Sequence, residues 1–140
     1  MRIPHGTTAW FDMVGALMVD AARRAALPDD FNISLLERFT DGVDKGAGQA
    51  AGQMAGMRFD VVNGAPSFWT GVGPDEQADI TIEVTLAASR ELNTLPGADP
   101  RFTAALAKLQ SNGQLKINGD LAGLGQWFAA VHDRIVDRTA

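Results

Sequence analysis

Apolar residues recur at three- and four-residue steps across residues 8–27, at Trp10, Phe11, Val14, Leu17, Met18, Ala21, Ala22 and Ala25, before Pro28 stops the pattern. That spacing puts one apolar stripe along a helix, so an amphipathic N-terminal helix is expected within residues 1–28. The period then drops to two. In residues 33–40, Ile33, Leu35, Glu37 and Phe39 share one side of a strand, and Ser34, Leu36, Arg38 and Thr40 share the other. Neither side is cleanly apolar, because Glu37 interrupts the first and Arg38 the second. Residues 41–56 are rich in Gly, Ala and Gln and read as a long Gly-rich loop, of the kind a lid uses.

Asn63-Gly64 is the preferred pair for a type I′ turn, and it joins residues 57–62 to residues 65–72 as a hairpin. Counting outward from a two-residue turn sets Val62 opposite Ala65, Phe59 opposite Phe68, Arg58 opposite Trp69 and Met57 opposite Thr70. Met57, Phe59, Val61 and Phe68 then form one face. The other, wetter face carries Asp60 against Ser67 and a guanidinium over the Trp69 indole.

Segment 78–84, ADITIEV, alternates Ile80, Ile82 and Val84 with polar residues as a half-buried strand does. Thr85 caps a helix carrying Leu86, Leu92 and Leu95, and Pro96-Gly97 ends it. Asp99-Pro100 opens the next helix, whose stripe is Phe102, Ala105, Leu106 and Leu109, and Asn112-Gly113 closes it. Segment 113–124, GQLKINGDLAGL, compresses a strand, a turn at Gly119 and a cap at Asp120 into twelve residues. A last helix follows directly, with Leu121, Leu124, Trp127, Phe128, Val131 and Ile135 on one side. Its opening is small-sided, at Ala122, Gly123 and Gly125. The order is α-β-β-β-β-α-α-β-α, and the fold class is α+β: a five-stranded, mainly antiparallel sheet with helices packed on one face.

ADITIEV at 78–84 and GQLKINGDLAGL at 113–124, together with the Asn63-Gly64 hairpin and their spacing, resemble the sterol carrier protein, or nonspecific lipid-transfer, family from about residue 33 onward. The resemblance implies a single sterol-carrier-like domain over residues 1–140. It also implies an apolar tunnel between sheet and helices that accepts sterols, fatty acyl chains or acyl-CoA, without a cofactor. The chain departs from the family at residues 119–125, where relatives typically carry a Met-rich or Leu-rich helix, and this leaves the ligand class open.

Composition narrows the partners. A chain of 140 residues suits one domain with a sizeable core. The net charge is -5 and basic residues never cluster beyond Arg23-Arg24, so nucleic acid is not an expected partner. With no cysteine there is no disulfide framework, thiolate nucleophile or zinc-thiolate site, which fits the cytoplasm. The apolar run at 9–19 follows Arg2 and His5 as a secretion signal does, but Asp12 and Asp20 break it and it is too short to span a bilayer. Neither targeting nor stable membrane insertion is expected.

For an apolar guest, Met54, Met57, Phe59, Phe68, Phe102, Leu106, Trp127, Phe128 and Val131 are the candidate lining; the alternative is that they fill the core. For acid–base chemistry the candidates are Glu37 and Asp60, carboxylates that an apolar pocket would raise toward neutrality, while Asp120 serves as a helix cap. The chain has no tyrosine to act as an oxyanion donor. His5 and His132 lack metal-ligand spacing and read as surface histidines, so no metal is expected. Ser67 and Ser89 lack nucleophile-elbow surroundings, and Gly46-Ala47-Gly48 with Gly52 is misspaced for a dinucleotide loop. Three functions follow: binding and carriage of a lipid, acyl chain or steroid; a pocket isomerase or hydratase on a steroid or acyl substrate; or a non-binding homodimerisation module joined through Trp10, Phe11, Trp69 and Trp127.

Overall fold

The computed structural model describes residues 1–41 and 52–140. In chain order the elements are α1 (Thr8–Arg24), β1 (Ile33–Phe39), β2 (Met54–Val62), β3 (Ala65–Val72), β4 (Ile80–Val84), α2 (Leu86–Leu92), α3 (Pro100–Ser111), β5 (Leu115–Asn118), a 3₁₀ turn (Leu121–Leu124) and α4 (Gln126–Arg138). Caps fall where short polar side chains precede apolar stripes: Thr7, Thr85 and Asp99 each accept a hydrogen bond from a backbone N–H of the first helical turn.

Two boundaries differ from the sequence expectation. β2 starts at Met54, inside the expected 41–56 loop, because Met54 pairs with Val72 and Gly56 with Arg38. Residues 42–51, with the Gly46-Ala47-Gly48 motif, lie outside the described residues. The last helix is also not continuous from Asp120. The Asp120 carboxylate accepts from the Ala122 N–H at 3.0 Å and closes only one 3₁₀ turn; Gly125, at φ 109°, then redirects the backbone so that α4 begins anew.

The strands lie in the order β3-β2-β1-β4-β5, antiparallel except for β1 against β4. The hairpin has the register that Asn63-Gly64 dictates, with Phe59 opposite Phe68 and Arg58 opposite Trp69, and both turn residues have positive φ. Between β3 and β4 the chain must pass from one edge of the sheet to its far half. Arginines on the face away from the helices hold that crossing. Buried Arg38 donates to the carbonyls of Gly73 and Glu76 at 2.9 and 2.8 Å, and Arg58 donates to the Glu76 carboxylate at 2.8 Å while standing 5.9 Å from the Trp69 ring centre.

The opposite face carries the core. Leu35, Phe39, Phe59, Val61, Ile80 and Val84 are nearly inaccessible there. α1 crosses the β2–β3 hairpin, and Gly15 permits it: a Cβ at that position would collide with the Phe68 ring. α4 packs alongside α1, where the Trp10 Nε1–H donates to the Thr139 hydroxyl at 2.9 Å. Ile3 bridges to the C-terminal segment through hydrogen bonds with Arg138 and Ala140.

Candidate functional site

A pocket of about 870 Å³ lies between the sheet and the helices. Its floor is the middle of the sheet, Leu35 and Glu37 of β1, Met57 and Phe59 of β2 and Ile82 of β4. α1 adds Trp10, Val14 and Met18; α3 adds Phe102 and Leu106; α4 adds Phe128, Val131 and Ile135. A smaller recess of about 110 Å³ shares Glu37, Ile82, Asn93 and Leu106 with the pocket and is lined further by Ser89, Leu115 and Ile117. Strand alternation selects the floor residues, since Glu37 pairs with Met57 on one side and Ile82 on the other, and all three project to the helix side.

Glu37 is the exception in this wall. No hydrogen-bond donor or cation reaches its carboxyl among the described residues, and it lines both the pocket and the recess. Its residual accessible surface opens onto that space. Burial pushes its pKa up from the ordinary 4.5 to about 7, because the charged form loses hydration and gains no partner. The other polar groups nearby are engaged. Asn93 Nδ2 donates to the Ser89 carbonyl at 2.8 Å, His132 Nε2 lies 2.8 Å from the Leu95 carbonyl oxygen, and the Asp133 carboxylate accepts from the Gly97 N–H at 2.8 Å. No Lys or Arg belongs to the wall among the described residues.

Six of the nine apolar candidates meet here: Met57, Phe59, Phe102, Leu106, Phe128 and Val131. The other three do not line the pocket. Met54 sits at the start of β2 opposite Val72, Phe68 is under α1 at Gly15, and Trp127 backs Phe59 at 5.4 Å between ring centres. Asp60 lies on the far face, paired with Arg58 at 3.1 Å, and cannot reach the pocket. Trp10, Val14, Met18, Leu35 and Ile82 were not among the sequence candidates. Their apolar spacing was visible, but which stripe faces a void depends on how α1 crosses the sheet.

His5 is not a surface histidine. Its Nε2 lies 2.9 Å from the Ser89 hydroxyl and its ring meets Trp10 edge-on at 4.5 Å. Burial, and then the Arg90 cation, lower its pKa to about 4. Trp10 and Phe11 are 2 % and 0 % exposed, which removes them from any interface between copies of the chain. Among the described residues no cluster of three or more His, Cys, Asp or Glu could hold a metal ion, and no helix is long and apolar enough to cross a membrane.

No protein-family profile matches the chain, and no curated protein sequence matches it significantly. Solved structures do. A crystal structure of sterol carrier protein 2 is similar at TM-score 0.51 and 20% identity, covering 94% of this chain and 96% of that one. The UbiJ-SCP2 ubiquinone synthesis protein is similar at TM-score 0.48 and 14% identity, covering 92% and 89%. The sterol carrier protein domain 2 of Helicoverpa armigera gives TM-score 0.45 and 12% identity, covering 99% and 95%. The first of these spans nearly both chains end to end, and it agrees with the mixed five-stranded sheet and one-sided helices described above. In fold, the chain is a sterol-carrier-like protein.

Proposed function

We propose that this protein binds and carries an apolar small molecule, such as a lipid, an acyl chain or a steroid, in the pocket between sheet and helices. The observation that carries the reading is the pocket of about 870 Å³ with its mostly aliphatic and aromatic wall. Small-molecule sites run from about 300 to 1,000 Å³ and are mostly apolar. A guest that buries about 400 Å² of hydrocarbon gains roughly 10 kcal/mol from leaving water, which is of the same order as the cost of immobilising it, about 4–15 kcal/mol. The sterol-carrier fold is consistent with this, and the cysteine-free composition fits a cytoplasmic setting.

The test is direct. Protein purified without detergent is extracted with organic solvent and the extract analysed by mass spectrometry; in parallel the stripped protein is titrated with Nile red. A co-purified apolar compound and saturable dye binding are expected, with binding lost when Leu106→Trp puts an indole into the wall that pocket and recess share. Dye binding unaffected by Leu106→Trp, with nothing extracted, removes the reading.

Glu37 favours a second reading, a pocket enzyme that moves a proton beside a carbonyl of a steroid or acyl substrate. A carboxyl with pKa about 7 inside an apolar wall is poised for that role. Turnover of a ketosteroid or enoyl substrate that disappears in Glu37→Gln while binding persists supports catalysis; no turnover across such a panel leaves carriage alone.

A further inference from the structure

We infer that Glu37 is a head-group receptor, and that the pocket selects amphiphiles whose polar end donates a hydrogen bond, an alcohol or a protonated amine, over those ending in a carboxylate. This rests on the pocket being a ligand site, and it adds the chemistry of the ligand's polar end.

The geometry places a single demand on the guest. Glu37 sits mid-strand at the centre of the sheet, between Met57 and Ile82, in the wall that the pocket and the recess share. Around it the wall is mostly hydrocarbon, Asn93 and Ser89 apart, and no protein donor satisfies its oxygens among the described residues. Glu37 keeps some accessible surface toward the pocket, so a guest that covers it without supplying a donor leaves the carboxyl unpaired at a cost, and one that supplies a donor avoids it. A hydroxyl can donate to the carboxylate, or accept from the carboxylic acid, whichever form is present. An ammonium can do more, forming an ion pair in a poorly hydrated site.

A carboxylate head meets the opposite situation. Among the described residues the wall offers no Lys or Arg to receive it; besides Glu37 its polar side chains are Asn93, Gln126, His132 and Asp133. His132 is committed to the Leu95 carbonyl and Asp133 to the Gly97 N–H, both on the segment joining α2 to α3. Beyond the recess, His5 faces Ser89 and is held neutral by burial. A fatty acid would therefore have to enter protonated or place its charge at the mouth, away from Glu37. The hydrocarbon fits either way, so discrimination lies at the polar end. The raised pKa of Glu37 agrees with this: the site is short of a partner for the charged form.

The experiment uses one chain length and three ends. Hexadecanol, hexadecylamine and palmitate compete with Nile red on the stripped full-length protein at pH 7.5, with wild type, Glu37→Gln and Glu37→Leu. In wild type, hexadecanol and hexadecylamine are expected to bind at least about tenfold more tightly than palmitate, the worth of one hydrogen bond to a buried acceptor. Glu37→Leu should bring alcohol and acid to within about threefold of each other. Glu37→Gln should keep the alcohol but lose the amine, which separates a hydroxyl-selecting site from one that takes cations. Equal binding of all three by wild type, or tighter palmitate, overturns the head-group inference while leaving the pocket as a ligand site. Failure of all three and of Nile red to bind removes the ligand-site reading itself.

Discussion

Replacing Glu37 by Gln should stabilise the folded protein at alkaline pH and do almost nothing in acid. Glu37 has a folded pKa of about 7 against an unfolded value near 4.5. Below pH 4.5 both states carry the proton and the residue contributes nothing to the balance. Between pH 4.5 and 7 the unfolded chain ionises while the folded protein holds the proton, so the folded state binds more protons and stability falls as pH rises. Above pH 7 both states are ionised and the penalty is constant. The rise from 4.5 to about 7 corresponds to about 3 kcal/mol in full, and the same linkage gives about 1 kcal/mol at pH 5. Water admitted to the pocket screens the charge and reduces the plateau to about 2 kcal/mol. Gln is nearly isosteric with the protonated acid, so the variant lacks the ionisation cost and little else. Urea denaturation of stripped protein, followed by tryptophan fluorescence from pH 5 to pH 8, measures the difference between variant and wild type. The difference is the quantity to read. His5, with its pKa lowered to about 4, costs stability in the opposite direction over nearly the same window, because its unfolded form gains a proton on acidification that the folded form refuses. The two slopes partly cancel in the wild-type profile. A gap between Glu37→Gln and wild type that stays constant from pH 5 to pH 8 would refute the assignment of a buried, unpartnered carboxyl.

Three further outcomes follow from contacts elsewhere. Thr139→Val leaves the buried Trp10 N–H without its acceptor at 2.9 Å and should cost about 1–3 kcal/mol in chemical denaturation, with Thr139→Ser recovering most of it. Gly56→Ala brings a Cβ against the Glu37 carbonyl oxygen at φ 155°, and should destabilise by about 2 kcal/mol or more while lowering Nile red affinity, since the distortion falls on β1 beside the pocket floor. Arg38→Met removes both hydrogen bonds that hold Gly73 and Glu76. It should accelerate hydrogen exchange at residues 73–79 before it affects the hairpin.

The elements most legible in the sequence were those governed by neighbours along the chain. Asn63-Gly64 fixes the hairpin because positive φ at two successive residues matches the strand twist, and everything from Val62–Ala65 out to Met57–Thr70 follows by counting. The Thr85 and Asp99 caps were legible for the same reason. The parallel pairing of β1 with β4 was not, because Leu35 and Ile80 are brought together across 45 positions without any turn that announces it. The split of the last helix depended on Gly125, whose sequence signature, a glycine after an apolar residue, does not distinguish a small packing position from a break. At the candidate site, Glu37 stood out through its company on one strand side, with Ile33, Leu35 and Phe39. The same alternation puts Asp60 on the far face with Arg58, away from Glu37. His5 gave no local sign: its burial comes from Trp10, Phe39 and Ser89, which reach it from three different elements.

The pocket and its carboxyl share one cause, which is where the helices touch the sheet. α1 rests on β2 and β3, with Gly15 letting it down onto Phe68, and α3 rests on β5. Both supports are toward the edges. Between those supports the middle of β1 and β4 borders the pocket through Leu35, Glu37 and Ile82, while Phe39, Ile80 and Val84 of the same strands stay packed in the core. A sequence selected only for stability would fill that centre with large aliphatic side chains. Here β1 holds Glu37 mid-strand, the small residues Ala122 and Gly125 stand in the wall at the 3₁₀ turn, and most of the remaining wall is apolar. Local rules broken at one place without a structural return are the mark of a site under functional demand. The cost in stability that Glu37 imposes at neutral pH and the selectivity proposed for it are two readings of one unpartnered carboxyl, so hexadecylamine, which needs the ionised form, should raise the unfolding midpoint more at pH 8 than at pH 5, while hexadecanol, which pairs with either form, should depend on pH less.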